Sequence, residues 1–376
     1  MTNIWKKCVL GDAIMLQRGH DLPSQDRNAG IYPIISSSGL TGYHDECKAK
    51  APGVVTGRYG TIGEVFYVNC DYWPLNTTLY VKDFKGNVPR FTFYLLQCLN
   101  LKDMNSAGAV PGINRNHIHK LKVKLPPLPT QAKIANILSA YDDLIENNLK
   151  RIKLLEEMAQ ITYEEWFVRL RFPGYEQKRT DSKSSLPLGW SETELGKHIN
   201  FVKGKKLDII ESEFTEGFVK VMLLDSLETG SFKYTLPEKH VSVSRGDLLM
   251  LMDGARSSNV FYSQEGVVGS TLAKITSQTL PSTFLYHFFN SILDSLQTNN
   301  TGAAIPHANK SYINNLKFLI PNQQMISNWQ YFILPINAQI WNLKDQNEKL
   351  KEARDILLPR LMTGMIDVET LMKDAA

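Results

Sequence analysis

The chain is poor in cysteine, and its cysteines form no pattern. Cys8, Cys47, Cys70 and Cys98 all lie in the first half of 376 residues, with no C-x-x-C spacing. A disulfide framework is therefore not expected, and a reduced, cytoplasmic protein is. No run of 18 apolar residues exists, so no spanning helix is expected. The opening Met1-Thr2-Asn3-Ile4-Trp5-Lys6-Lys7 lacks a signal peptide's apolar centre. His117-x-His119 could start a metal set, but no Cys or further His lies nearby to complete it, and no metal is expected. There is no G-x-x-x-x-G-K-[ST] loop and no Asn-Pro-Pro-Tyr-like methyltransferase motif. The acidic-x-Lys triplets Glu46-x-Lys48 and Glu176-x-Lys178 have no Pro-Asp upstream. Gly57, Gly60 and Gly63 do not have dinucleotide-binding spacing and read as a strand–turn–strand element. Neither catalytic nor cofactor-binding residues are expected in this chain.

Charge of one sign is also scarce, with a net charge of only +4. The distribution says more. Residues 1–130 carry 15 Lys and Arg against 9 Asp and Glu, whereas residues 185–321 carry 12 against 13. A nucleic-acid-binding face in the second half would therefore need segregated lysines, as in Lys203-Gly204-Lys205-Lys206.

What is present is a long repeat. Trp5-x4-Leu10-Gly11 recurs as Trp190-x4-Leu195-Gly196, and Arg18-Gly19 as Lys203-Gly204, both shifted by 185 residues. Ile118-x2-Leu121-Lys122-x2-Leu125-Pro126 recurs as Ile313-x2-Leu316-Lys317-x2-Ile320-Pro321, shifted by 195. This period is too long for a solenoid and indicates a duplicated domain. Val54–Thr56, Val65–Val68 and Thr77–Val81 read as strands in the first copy, with a helix at Phe91–Leu101. In the second, Val219–Leu224, Asp247–Met252 and Val267–Ile275 read as strands, and Thr283–Leu296 as a helix. The class is mixed α and β.

Each copy runs into a heptad-like seam. The first is Ile134, Leu138, Tyr141, Ile145, Asn148, Ile152, Leu155, Ala159, Thr162 and Trp166, about 50 Å of coiled-coil helix at about 1.5 Å per residue. The second is Ile333, Ile336, Ile340, Leu343, Asn347, Leu350, Arg354 and Leu357, with Pro335 near its regular start and Pro359 at its end. Antiparallel pairing with Asn148 opposite Asn347 would place Ile145 on Leu350, Ile152 on Leu343, Leu155 on Ile340 and Leu138 on Leu357. It would also relate the two repeats by an approximate two-fold axis, as two halves of a DNA site are related. The alternative is that each helix packs on its own domain. The expected boundaries are a first domain 1–129, a long helix 130–172, a linker 173–186, a second domain 187–321, a second long helix 322–359 and a tail 360–376.

At this point the chain resembles the specificity (S) subunit of type I restriction-modification systems, over almost its whole length. The resemblance rests on Leu125-Pro-Pro-Leu-Pro-Thr-Gln-Ala-Lys-Ile-Ala-Asn-Ile-Leu138, the helix to Trp166-Phe167, Phe172-Pro-Gly-Tyr175 and Leu357-Leu-Pro-Arg-Leu-Met-Thr-Gly-Met-Ile-Asp367. Ile320-Pro321-Asn-Gln-Gln324 departs from the fuller proline-rich motif and puts the second helix start in doubt. The resemblance implies two target-recognition domains reading the halves of a split double-stranded DNA sequence. It implies long helices that separate the halves and dock two methyltransferase (M) subunits carrying S-adenosylmethionine. It further implies restriction (R) subunits that use ATP and Mg for translocation and cleavage in phage defence. No membrane association is implied.

Framework positions repeat between the domains while the intervening segments differ, as in Gly57–Gly63 against Asp253–Asn259. An asymmetric, bipartite target is therefore expected. The donors suited to base edges or phosphates are Arg18, Ser36, Ser37, Ser38, Arg58, Tyr59, Asn76, Thr77, Asn114 and Arg115 in the first domain. In the second they are Lys203, Lys205, Lys206, Arg256, Ser257, Ser258, Ser270, Thr271, Asn309 and Lys310. Asn114-Arg115 recurs as Asn309-Lys310 after the glycine-alanine pairs Gly108-Ala109 and Gly302-Ala303, although Asn here could equally cap or turn the backbone. Two other readings stay open: a coiled-coil scaffold without DNA readout, and a free-standing methyltransferase or nuclease with an unrecognised motif.

Overall fold

A computed structural model describes residues 5–104, 112–177 and 186–368. The chain divides into two compact units, residues 1–147 with 349–376, and residues 148–348.

In the first unit the repeat is closed by its own ends. The entering strand Lys6–Val9 pairs antiparallel with the leaving strand Lys122–Leu125. Between them lies a four-stranded sheet in the order Met15–Arg18, Thr78–Asp83, Gly53–Gly57, Val65–Val68. A second sheet has the order Gly39–His44, Tyr32–Ser36, Trp73–Pro74, the last two parallel. The helix Pro89–Cys98 starts on a proline, whose fixed φ suits that position, and buries Phe91 and Tyr94 to Leu96.

The second unit repeats this plan. Ser191–Glu194 pairs antiparallel with Lys317–Ile320. The four-stranded sheet runs Asn200–Lys203, Leu272–Thr276, Leu248–Leu251, Val260–Tyr262. The other sheet runs Lys233–Thr235, Val219–Met222, Gly266–Val268, Ser242–Val243, with the central two parallel. The strand expected over Val267–Ile275 is therefore two strands in different sheets. They part at Gly269, where a Cβ would lie 2.9 Å from the Met222 carbonyl oxygen. The helix expected at Thr283–Leu296 is likewise two, Ser282–Ser291 and Leu293–Thr298.

The repeated glycines have a shared cause. A Cβ on Gly19 would come 2.0 Å from the Leu75 carbonyl oxygen, and one on Gly204 would come 2.2 Å from that of Gly269. Likewise Gly11 lies against His119, and Gly196 against Asn314. Both pairs mark close backbone approaches that admit no side chain.

The long helices span Leu128–Tyr163 and Gln323–Met362. The first does not continue to residue 172; it ends in a π-turn over Glu164–Val168. The second begins ahead of Pro335 and passes both Pro335 and Pro359. Each interior proline removes one backbone hydrogen bond, and Ile333, Ile336, Leu361 and Met362, buried on either side, hold the helix together. Within the second unit, Ile152, Leu155, Ile340 and Leu343 share one core with the repeat. Within the first, Leu138 and Leu357 do the same. Ile145 is buried and Leu350 half-buried. After Ala159 the buried positions become Tyr163 and Phe167, not the expected Thr162 and Trp166. A straight helix drifts against a strict heptad by about 20° per repeat, and here the drift moves the seam by one residue. Both Trp166 and Phe332 still pack at the edge of that core.

Asn148 and Asn347, each 5% exposed, meet as expected: Asn148 Nδ2 donates to Asn347 Oδ1 at 3.0 Å. Antiparallel direction follows, because Lys344 Nζ donates to Glu156 Oε1 in the same unit. Asn148→Leu alone removes the donor to the buried Asn347 Oδ1 and is expected to cost about 1–3 kcal/mol. Asn148→Leu with Asn347→Leu should recover that loss or better while loosening register. Urea melts of the single and double variants read the stability, and cysteine cross-linking across the seam reads the register.

His287 is 3% exposed, stacked on Tyr163, with Nδ1 2.8 Å from Gln160 Oε1. Burial lowers its pKa from 6.5 to about 4. The unfolded chain thus binds a proton that the folded one refuses between these values. Stability should fall by roughly 3 kcal/mol as pH drops from about 6.5 to 4. Denaturant melts across this range should show that slope, and His287→Leu should flatten it whatever its own cost.

Candidate nucleic-acid interface

Five of the expected residues converge in the first unit. Arg18, Arg58, Tyr59, Asn114 and Arg115 line one cleft of about 370 Å³, together with Leu79, Gly112 and Ile113. The sheet sets them there. Arg18 ends its strand opposite Leu79, just before the close approach at Gly19. The Arg58 and Tyr59 amides both donate to the Thr77 carbonyl, and the Ile113 amide donates to that of Arg58. The Arg58 guanidinium lies 4.3 Å from the centre of the Tyr59 ring, which holds a delocalised cation flat at the rim. Arg18 also sits 3.5 Å from Asp21.

Asn114 is the N-cap of the short helix Arg115–His119, accepting from the Asn116 amide at 2.9 Å. Asn309 caps Lys310–Asn315 in the same way, accepting from the Tyr312 amide at 3.0 Å. The recurrence of these asparagines is thus explained by capping. Each cap presents a cation on the next residue: Arg115 is exposed, and so is Lys310, whose ammonium lies 5.7 Å from the Phe201 ring. His119 Nε2 accepts the Leu16 amide at 3.0 Å, so that nitrogen already has a structural partner. Gly302 takes a positive φ of 91°; its expected counterpart, Gly108-Ala109, lies outside the described residues.

Other expected contacts belong to the framework. Ser36 is buried and donates to the Gly39 carbonyl. The Ser37 amide donates to Thr77 Oγ1, Ser38 shares a hydrogen bond with Ser36, and the Asn76 amide group donates to Asp21. Ser257 and Ser258 are a correction: they are 0% and 1% exposed, with both hydroxyls bonded to the Asn300 side chain. In this conformation they cannot reach a base. They complete a buried turn, where an unpaired hydroxyl would be costly.

In the second unit the cations are differently engaged. Arg256 Nη2 donates to Glu228 Oε2 at 2.6 Å, and this hydrogen bond raises the guanidinium's pKa. Lys203 Nζ donates to Asp253 Oδ2 at 3.1 Å, and His307 Nδ1 lies 2.8 Å from Asp253 Oδ1. Partial burial pushes the Asp253 carboxyl up, but the hydrogen bonds from His307 and Lys203 outweigh it and hold the group below its ordinary range. Lys205, Lys206, Ser270 and Thr271 are exposed.

The two units place equivalent backbone at these sites, in a register that the sequence alone misaligns. Tyr59 bridges Gly112, and Asp253 bridges His307. The Met252 amide donates to Thr271 and the Ala308 amide to Met252, repeating the bonds of Arg58. Tyr59 therefore corresponds to Asp253, and Arg58 to the buried Met252. The segment Gly57–Gly63 is not the counterpart of Asp253–Asn259. Asp253, His307 and Glu228 were absent from the expected set because only the fold brings them to the cations, the first two through a bridge and Glu228 from the helix Leu224–Thr229.

Among the described residues, no helix is long and apolar enough to cross a membrane. A family model for the type I restriction modification DNA specificity domain matches residues 3–157 and 195–352. The type I restriction enzyme MjaIX specificity subunit of Methanocaldococcus jannaschii is 27% identical over 308 residues, 76% of this chain and 71% of that protein. The MjaVIII specificity subunit of the same organism is 25% identical over 193 residues, 50% of this chain and 45% of that protein. The crystal structure of a type I restriction-modification S subunit from M. genitalium superposes with a TM-score of 0.63 at 15% identity, covering 96% of each chain.

Proposed function

Since the chain belongs to the type I restriction-modification DNA specificity family, matched in both repeats, we propose that it directs such a complex to an asymmetric, bipartite DNA target. It is the DNA-recognition subunit and is non-catalytic. Methylation and restriction are carried out by its partner subunits. Two methyltransferase subunits would bring S-adenosylmethionine and the adenine chemistry, and restriction subunits would bring ATP and Mg.

The observation that carries this reading is the cleft of Arg18, Arg58 and Arg115 around Tyr59 and Asn114. Three guanidiniums at the rim of one concave surface suit phosphates on either side of an exposed base edge. The second unit offers cations at two of the equivalent positions, Lys203 and Lys310, around a different centre. Like cations around unlike centres fit a target with two unlike halves.

The test is to co-express the full chain with its methyltransferase subunit and map methylated adenines by single-molecule sequencing. A split motif with unlike halves, present only with this chain, is the expected result. A soluble, co-purifying complex that adds no methylation would sink the reading in favour of a scaffold.

A further inference from the structure

The centre of the site changes between repeats in a coupled way. In the first unit, a Cβ on Gly112 would lie 2.2 Å from the Tyr59 ring, so the tyrosine occupies the space a side chain at 112 would need. In the second unit the short Asp253 replaces the tyrosine, and the imidazole of His307 stands where the glycine was. The flanking positions keep their character: Arg18 and Lys203 end equivalent strands, and Arg115 and Lys310 follow equivalent caps. Phosphates are alike along any DNA, so groups that bind them can stay constant, whereas groups that read bases must differ between unlike half-sites.

We propose that Asp253 and His307 form the base-reading pair of the second repeat and take a base that presents an exocyclic amino group. This rests on the DNA-recognition reading above. The Asp253 carboxylate accepts from His307 at Nδ1 and from Lys203. In the neutral imidazole that places the proton on Nδ1 and leaves Nε2 as an acceptor. In the major groove the matching donors are the N6 amino group of adenine and the N4 amino group of cytosine. The His307 side chain is 48% exposed, so it is open to such a contact. Lys203 is held by the same carboxylate, so this centre reads by hydrogen bonding and adds little net charge.

The experiment uses the full chain co-expressed with its methyltransferase subunit, as wild type, His307→Ala and Asp253→Asn. Methylated motifs are mapped, and the purified complexes are competed against duplexes substituted at each position of both half-sites. Both variants should lose about tenfold or more in discrimination at one base pair of one half-site. The other half-site should be unchanged in both variants and the salt slope unchanged in His307→Ala, whereas Asp253→Asn also frees Lys203 and should steepen the slope by at most about one. An intact motif in both variants overturns the inference. So does binding weakened evenly for all duplexes, which would mark a phosphate or framework role. If the wild type itself yields no split motif, the recognition reading fails first, and that outcome is distinct from either of these.

Discussion

Replacing Arg58 and Arg115 together by alanine is expected to weaken DNA binding by the assembled complex by about two orders of magnitude. Each is a cation at the rim of the same cleft. A hydrogen bond to a charged group contributes about 1.5–3 kcal/mol, so two such losses amount to about a hundredfold or more. If both contact phosphates, the plot of log affinity against log salt should also become shallower by about two. Retained affinity with an unchanged slope would remove the cleft from the interface. Arg58→Lys separates charge from shape: lysine keeps the cation but loses the planar stacking on Tyr59, and is expected to recover only part of the binding.

Trp329→Ala should be the most damaging single change to the second unit. Trp329 is fully buried, and its ring lies 5.4–5.9 Å from those of Tyr163, Trp166, Phe167, His287 and Phe332. Removing a buried aromatic of this size costs about 3–5 kcal/mol, a large fraction of the roughly 5–15 kcal/mol that holds a typical domain. The arrangement of the candidate residues Lys203, Asp253, His307 and Lys310 should be lost with it. Thermal melts together with methylation mapping would show destabilisation and loss of specificity together. Trp329→Phe keeps the ring and removes an indole N–H that finds no acceptor among the described residues, so it should cost far less.

The parts of the fold written in regular spacing were readable. Asn148 and Asn347 stood at matching seam positions, which suggested the antiparallel pairing that the fold then shows. The repeated Leu-Gly and basic-Gly pairs marked equivalent positions of a duplicated domain, and the fold shows close approaches at these glycines. Trp329 was missed because it precedes the seam that begins at Ile333 and belongs to a core that also draws on the first long helix and on the helix Ser282–Ser291. Thr162 and Trp166 were misplaced because a π-turn follows a helix whose register had already drifted. The convergence of the candidate residues was legible in the first repeat, where Arg18, Arg58, Tyr59, Asn114 and Arg115 line one cleft. It was poorly legible in the second. A serine pair looks the same in a sequence whether it points outward or, like Ser257 and Ser258, is buried against the side chain of Asn300. The Asp253–His307 pair joins residues 54 apart, and only a backbone bridge reveals it.

Each repeat begins and ends on neighbouring strands, Lys6–Val9 beside Lys122–Leu125 and Ser191–Glu194 beside Lys317–Ile320. A segment whose two ends are neighbours can be replaced whole while its point of attachment stays put. The long helices leave from that doorway and also pack on the core of the repeat beside it, through Leu138 in the first unit and Ile340 and Leu343 in the second. A graft cut at Lys6 and Leu125 would exchange one reader for another, as long as the incoming segment keeps the residues that face the helix, Phe91 and Tyr94 among them.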